Sequence, residues 1–156
     1  APDRSSCQVG DIIDATLGFA EIDARKSGVQ LELQIEADLP EVIADRIMIE
    51  QVLLNLLRNA IEAMHATPMP ERQLLLSVGR KDNTQLLISV TDRGHGITEA
   101  SRAKLFAPFF TTKPHGMGMG LNICRSIIEF HHGQLWDEAN PAGGTIFRFT
   151  LPLAQQ

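Results

Sequence analysis

Two glycine clusters constrain this chain more than any other feature. Asp92-Arg93-Gly94-His95-Gly96-Ile97 follows an alternating apolar run, and Gly116-Met117-Gly118-Met119-Gly120-Leu121 precedes an apolar run at helical spacing. A strand that runs out into a carboxylate and two glycines lets a flat heterocycle approach its backbone closely. A glycine-rich turn that opens a helix presents unpaired N–H groups to phosphate. Together they imply a nucleotide site with a mobile cover. The second cluster has neither the strand lead-in nor the spacing of a dinucleotide fingerprint, and it lacks the Gly-Lys-Ser/Thr of a Walker loop.

Composition narrows the setting. The 156 residues carry a net charge of −5 and are 44% apolar. A chain of this size buries about 68–70% of its unfolded surface, enough for one domain with a true core. No dense Lys/Arg run exists to track nucleic acid. Bound phosphates would need local cations or a metal ion to offset them. Cys7 and Cys124 are far apart and have no metal-type spacing, which suits reduced thiols in the cytoplasm. No apolar run approaches the roughly 20 residues of a membrane span, and no signal peptide is visible.

Periodicity predicts the elements. Ile12, Ile13, Leu17, Ala20 and Ala24 mark a helix from about Val9 to Ser27, stopped by Gly28. Val29, Leu31, Leu33 and Ile35 alternate with polar residues as a half-buried strand. Asp45 is the expected N-cap of a helix running to about His65. Leu74–Gly79 and Leu86–Val90 read as strands of a hairpin around Asp82-Asn83. A short helix is expected over Glu99–Leu105, a loop over 106–117, and a helix from Gly118 to His131. Gln134–Trp136 and Thr145–Leu151 close the chain as strands around the turn Asn140-Pro141-Ala142-Gly143-Gly144. Strands that neighbour in sequence favour hairpins. The expected architecture is therefore an α+β two-layer sandwich, with a mixed, mostly antiparallel sheet and its helices on one face.

Three further groups of residues point to chemistry. Asn55 and Asn59 lie one turn apart inside an otherwise apolar helix, where a weak helix former needs a reason to stand. An amide oxygen is a hard ligand that suits Mg2+ holding ATP phosphates. Asp92, when ionised, only accepts hydrogen bonds, so it matches the exocyclic amine of adenine and not the carbonyl of guanine. In Phe106-Ala107-Pro108-Phe109-Phe110-Thr111-Thr112-Lys113, the first Phe and Phe109 can anchor the ends of a lid, and Lys113 is the nearest cation for phosphate. The histidines have neither metal spacing nor a nucleophile partner. Thr145 can reach the base beside Asp92.

These pieces, in this order, resemble the ATP-binding catalytic domain of bacterial sensor histidine kinases, whose Bergerat-type fold is shared with gyrase, Hsp90 and MutL. The likeness covers essentially the whole chain, and its wording is nearest the nitrogen-, dicarboxylate- and oxygen-sensing kinases. Asn55-Leu-Leu-Arg-Asn59-Ala looks like the asparagine box, Asp92 to Ile97 the first glycine box, and Phe106 to Lys113 the phenylalanine box. Gly116 to Leu121 looks like the second glycine box, and Gly143-Gly144-Thr145 a final glycine motif. The resemblance implies Asn59 as the Mg2+ ligand, with Asn55 near the phosphates and both counted as catalytic together with Lys113. It implies Asp92 as the adenine acceptor, aided by Thr145 through water. Gly94, Gly96 and Ile97 shape the base pocket. Gly116, Gly118, Gly120 and Leu121 form the phosphate-lid hinge. Glu62 and Ala63 stand where many members carry Lys and Tyr, so Arg58 and Lys113 are both open as the replacing cation.

No histidine here has the His-Glu/Asp-x-x-x-Pro setting of a phosphoacceptor. The expectation is a single domain over 1–156, with residues 1–9 as linker from a separate dimerisation domain. It would bind Mg-ATP, pass the γ-phosphoryl group to that domain's histidine, serve a response regulator downstream, and not autophosphorylate alone. An anti-sigma-type serine kinase and a non-catalytic nucleotide-binding module are the alternatives of the same fold.

Overall fold

The computed structural model describes residues 3–106 and 120–154. Its elements in chain order are β1 (Ser5–Cys7), α1 (Val9–Lys26), β2 (Gln30–Ile35), β3 (Val42–Ala44), α2 (Arg46–Ala63), β4 (Gln73–Arg80), β5 (Gln85–Thr91), α3 (Glu99–Leu105), α4 (Leu121–Phe130), β6 (Leu135–Ala139) and β7 (Thr145–Pro152).

Five strands form one sheet in the order β2-β4-β5-β7-β6. The β4–β5 and β6–β7 pairs are antiparallel hairpins, and β5 meets β7 antiparallel. β2 pairs with β4 in parallel, which requires the long crossover that α2 supplies. Strand alternation turns Leu74, Leu76 and Val78, then Leu86, Ile88 and Val90, then Phe147, Phe149 and Leu151 toward one buried face. Register makes that row continuous, since Leu76 faces Val90 and Val90 faces Phe147. Leu53, Leu56 and Leu57 of α2 and Ile127 and Ile128 of α4 complete the core with it. On the opposite face, Arg148 donates to Ser89 Oγ at 3.0 Å. This is the expected two-layer α+β sandwich, with a mixed and mostly antiparallel sheet.

The capping expectation for α2 holds: Asp45 Oδ1 accepts the Met48 N–H at 3.3 Å. Elsewhere the boundaries move. The helix α2 stops at Ala63, two residues before His65, and β6 runs on to Ala139, past Trp136. Gly120 is the N-cap of α4, where a start at Gly118 was expected; Gly118 itself lies outside the described residues. The β2 alternation is right, yet Leu33 and Ile35 are 42% and 43% exposed, because β2 is an edge strand that the helix layer covers incompletely. Residues 5–7, within the stretch read as linker, pair antiparallel with residues 42–44. Neither three-residue strand is long enough to show a period.

Candidate functional site

The site starts on α2. Asn55 is buried, and its Nδ2 donates to Cys124 Sγ of α4 at 3.3 Å. That bond leaves the Asn55 carbonyl oxygen directed elsewhere. Asn59, one turn on, is half-buried, and its side chain makes no hydrogen bond with the described residues. An amide held in that position without a partner is available to a ligand.

The second component is the tip of β5. Asp92 is 2% exposed. Its Oδ1 accepts the N–H of Gly94 at 2.8 Å and the N–H of Thr145 at 3.1 Å. Burial pushes its carboxyl above the ordinary carboxylate range; the two amide donors and the nearby His95 oppose that shift without cancelling it. Among the described residues these bonds fall on Oδ1, which leaves Oδ2 to accept from outside. The β6–β7 turn closes on this carboxylate so tightly that a Cβ on Gly144 would stand 2.3 Å from the Asp92 carbonyl oxygen and 2.7 Å from Oδ1. Gly144 also has φ +105, a conformation that side chains disfavour.

Backbone contact joins the two components. The His95 N–H donates to the Ala63 carbonyl at 3.2 Å, and a Cβ on Gly94 would stand 2.4 Å from that same oxygen. Ala63 is one turn beyond Asn59 on the same helix face. The first glycine cluster therefore lies against the end of α2 that carries Asn59, and Asn59 and Asp92 are brought to one side of the molecule. Gly96, Ile97, Gly144 and Thr145, with Arg102 of α3 and Asp137 of β6, line a cavity of about 160 Å³ that neither Asn59 nor Asp92 lines. A larger cavity of about 490 Å³, lined by Leu31, Leu75, Thr91 and Arg93 among others, lies toward the open sheet face and holds none of the expected site residues.

The structure thus brings Asp92, Gly94 and Thr145 into contact and sets Gly94 against the end of α2, one turn past Asn59; Gly96 and Ile97 line the smaller cavity, and Asn55 faces α4. Gly120 and buried Leu121 sit at the start of α4, whose Cys124 touches Asn55. Lys113, Gly116 and Gly118 lie outside the described residues. Arg58, one of the two cations left open, ion-pairs with Asp23 of α1 at 3.0 Å, so its charge is committed to the α1–α2 seam. Sequence reading missed three contributors. Cys124 appears there as a reduced thiol without metal spacing, Asn140 as a turn residue, and Arg125 not at all. Arg125 places its guanidinium 4.2 Å from the Phe106 ring centroid. None has a local signal, since each acts on a residue distant in sequence.

No group of three or more His, Cys, Asp or Glu side chains that could hold a metal occurs among the described residues. No helix among them is long and apolar enough to cross a membrane.

Comparison with known proteins gives the family and the fold. Residues 44–155 match the model of the histidine kinase-, DNA gyrase B- and HSP90-like ATPase family, and the chain belongs to that family. It is 44% identical over 155 residues to the C4-dicarboxylate transport sensor protein DctS of Rhodobacter capsulatus, covering 99% of this chain and 23% of that protein. It is 44% identical over 140 residues to the sensor protein FixL of Bradyrhizobium diazoefficiens, covering 90% of this chain and 27% of that one. The chain therefore spans about a quarter of the length of these relatives. Among solved structures, the catalytic domain of histidine kinase ThkA superposes with a TM-score of 0.83 at 33% identity, over 97% of this chain and 96% of that one. ThkA solved in complex with the response regulator protein TrrA superposes with a TM-score of 0.79 at 32% identity, over 97% of this chain and 42% of that one.

Proposed function

We propose that this chain binds Mg-ATP and is the phosphoryl-donor half of a two-component histidine kinase, acting on a histidine carried by a separate dimerisation domain. The observation that carries the reading is the contact of Gly94 and His95 with the Ala63 carbonyl, which sets the loop after Asp92 against the last turn of the helix that carries Asn59. Asp92 accepts the exocyclic amine of adenine through Oδ2 and repels the guanine carbonyl. Asn59 offers its amide oxygen to the divalent cation, and Asn55 lies beside it toward the phosphates. Bound Mg2+ supplies charge neutralisation on the phosphates. Lys113 is the proposed phosphate cation, and Gly116 and Gly118 are the proposed hinge of the segment that closes over them. The protein's work is then to position and desolvate the nucleotide, with little covalent chemistry of its own.

The kinase names of the relatives and the response-regulator complex of ThkA support this class and make a response regulator the downstream partner. An ATP substrate supports a cytoplasmic location for the domain. The test is transfer of labelled γ-phosphate in a protein that joins this chain to an acceptor-histidine helix. Asn59→Asp or Asp92→Asn is expected to reduce transfer by at least about 100-fold, the scale of losing a group that positions or neutralises charge. Transfer near the wild-type rate by either variant refutes the site assignment. The chain without an acceptor helix should bind nucleotide and take up no phosphate.

A further inference from the structure

The β6–β7 turn does more than connect two strands. With Thr145, the first residue of β7, it supplies three of the four hydrogen bonds to Asp92 among the described residues. The Asp92 N–H donates to the Thr145 carbonyl at 2.9 Å, and Asp92 Oδ1 accepts from the Thr145 N–H at 3.1 Å. The third is the one in which the partner group is a side chain: Asn140 Nδ2 donates to the Asp92 carbonyl oxygen at 2.8 Å. Asn140 is itself locked in the turn. Its Oδ1 accepts the Ala142 N–H at 3.1 Å, its N–H donates to Gly144 at 3.0 Å, and its carbonyl accepts from Gly143 at 2.8 Å.

We propose that Asn140 is a purine-specificity residue that acts through Asp92, by fixing the plane of the peptide between Asp92 and Arg93. This rests on the Mg-ATP reading above and sharpens it. The following peptide unit, between Arg93 and Gly94, carries the Gly94 N–H that donates to Asp92 Oδ1 at 2.8 Å. A change in the Asp92 ψ torsion turns the Asp92 carbonyl away from Asn140 and carries that next unit with it, which withdraws the Gly94 N–H from Oδ1. The carboxylate then loses one of its two anchors and can turn about its terminal torsion, which is intrinsically broad for Asp. With the plane held, both anchors stay on Oδ1 and Oδ2 keeps one direction toward the base. Adenine gains from that fixed acceptor, and guanine is penalised by it. A loosened carboxylate averages the two, so ATP loses affinity and discrimination against GTP shrinks. Asn140 touches no nucleotide in this scheme and is a positioning residue.

The measurement is displacement of a fluorescent ATP analogue from this chain by Mg-ATP and by Mg-GTP, in the wild type, Asn140→Asp and Asn140→Ala. Asn140→Asp keeps the acceptor for Ala142 but turns the donor to Asp92 into an acceptor and adds a charge, whereas Asn140→Ala removes the donor without a charge, so a change common to both reports the lost bond. Both variants are expected to weaken ATP about fivefold, the scale of one net hydrogen bond, and to narrow the ATP-over-GTP ratio by a similar factor. In 15N-labelled, nucleotide-free protein, the Gly94 amide resonance should shift in both variants. An undiminished ratio in both variants, against a wild type that prefers ATP, overturns the role of Asn140 alone. A wild type that binds neither nucleotide, or both alike, overturns the adenine reading and this inference with it.

Discussion

Asp92 carries opposite demands within one side chain. A carboxylate buried to 2% exposure is costly to ionise, and burial accordingly raises its pKa. Recognition of an amine needs the ionised form. The folded chain therefore keeps its proton to higher pH than the unfolded chain does. Stability from this group is fullest below the unfolded carboxylate value and declines as pH rises through the folded one. Asn at this position can still accept the Gly94 and Thr145 N–H groups while removing the buried charge. Asp92→Asn is thus expected to hold or raise Tm at pH 7 by a few degrees, since about 1 kcal/mol moves a domain of this size by about 2–4 °C. The same variant should bind Mg-ATP at least about tenfold more weakly, as loss of a charge-assisted hydrogen bond implies. Calorimetric melting and titration of one sample check both signs. A clear fall in Tm would mean that the charge stabilises the fold.

The helix α2 is held at its N-terminus by a node that lies apart from the nucleotide site. Asp45 caps the helix through Oδ1, and its Oδ2 accepts the Asp3 N–H at 2.9 Å. His131, fully buried at the end of α4, accepts the Asp45 N–H on Nε2 at 2.9 Å. The acceptor role of Nε2 puts the ring proton on Nδ1, which donates to the Ile127 carbonyl at 2.7 Å. The imidazole is neutral and doubly satisfied, and it ties α4 to the start of α2. His131→Ala leaves a cavity and an orphaned N–H, and is expected to cost about 2–4 kcal/mol in urea unfolding. Asp45→Ala should cost about 1 kcal/mol as a lost cap. The Asp3 N–H, before the other donors, lowers the Asp45 pKa. Its contribution is present above the unfolded carboxylate value and is lost as pH falls through the lowered one. The difference between wild type and Asp45→Ala should therefore begin to shrink as pH falls below about 4 and narrow further as pH passes through the lowered folded value.

At the scale of the molecule, the two-layer sandwich places the end of α2, the tip of β5 and the β6–β7 turn beside one another, and nucleotide binding should couple to the stability of all three. A non-hydrolysable Mg-ATP analogue at a hundredfold excess over its Kd should add about 2.7 kcal/mol of stability. That is about 5–10 °C in Tm, readable by thermal melting, and at the same ligand concentration Asp92→Asn should remove about half of it or more. Much of this architecture is legible along the chain. Apolar spacing locates α1, α2 and α4 and the long strands, because a buried face repeats a period over many residues. Asp45 is legible as a cap because capping is local. Asn55, Asn59, Asp92 and the glycines stand out because each breaks the pattern around it. The short strands β1 and β3, the exposure of Leu33 and Ile35, and the commitment of Arg58 to Asp23 are not legible. Nor are the bonds from Asn140 to Asp92 and from Asn55 to Cys124, which span 48 and 69 positions. The sequence by itself determined the elements and the chemical types at the site, since periodicity and local bonding act over a few residues. Tertiary structure alone decided which side chains hold them in place, because contacts between distant segments form only once the sheet and helix layer have packed.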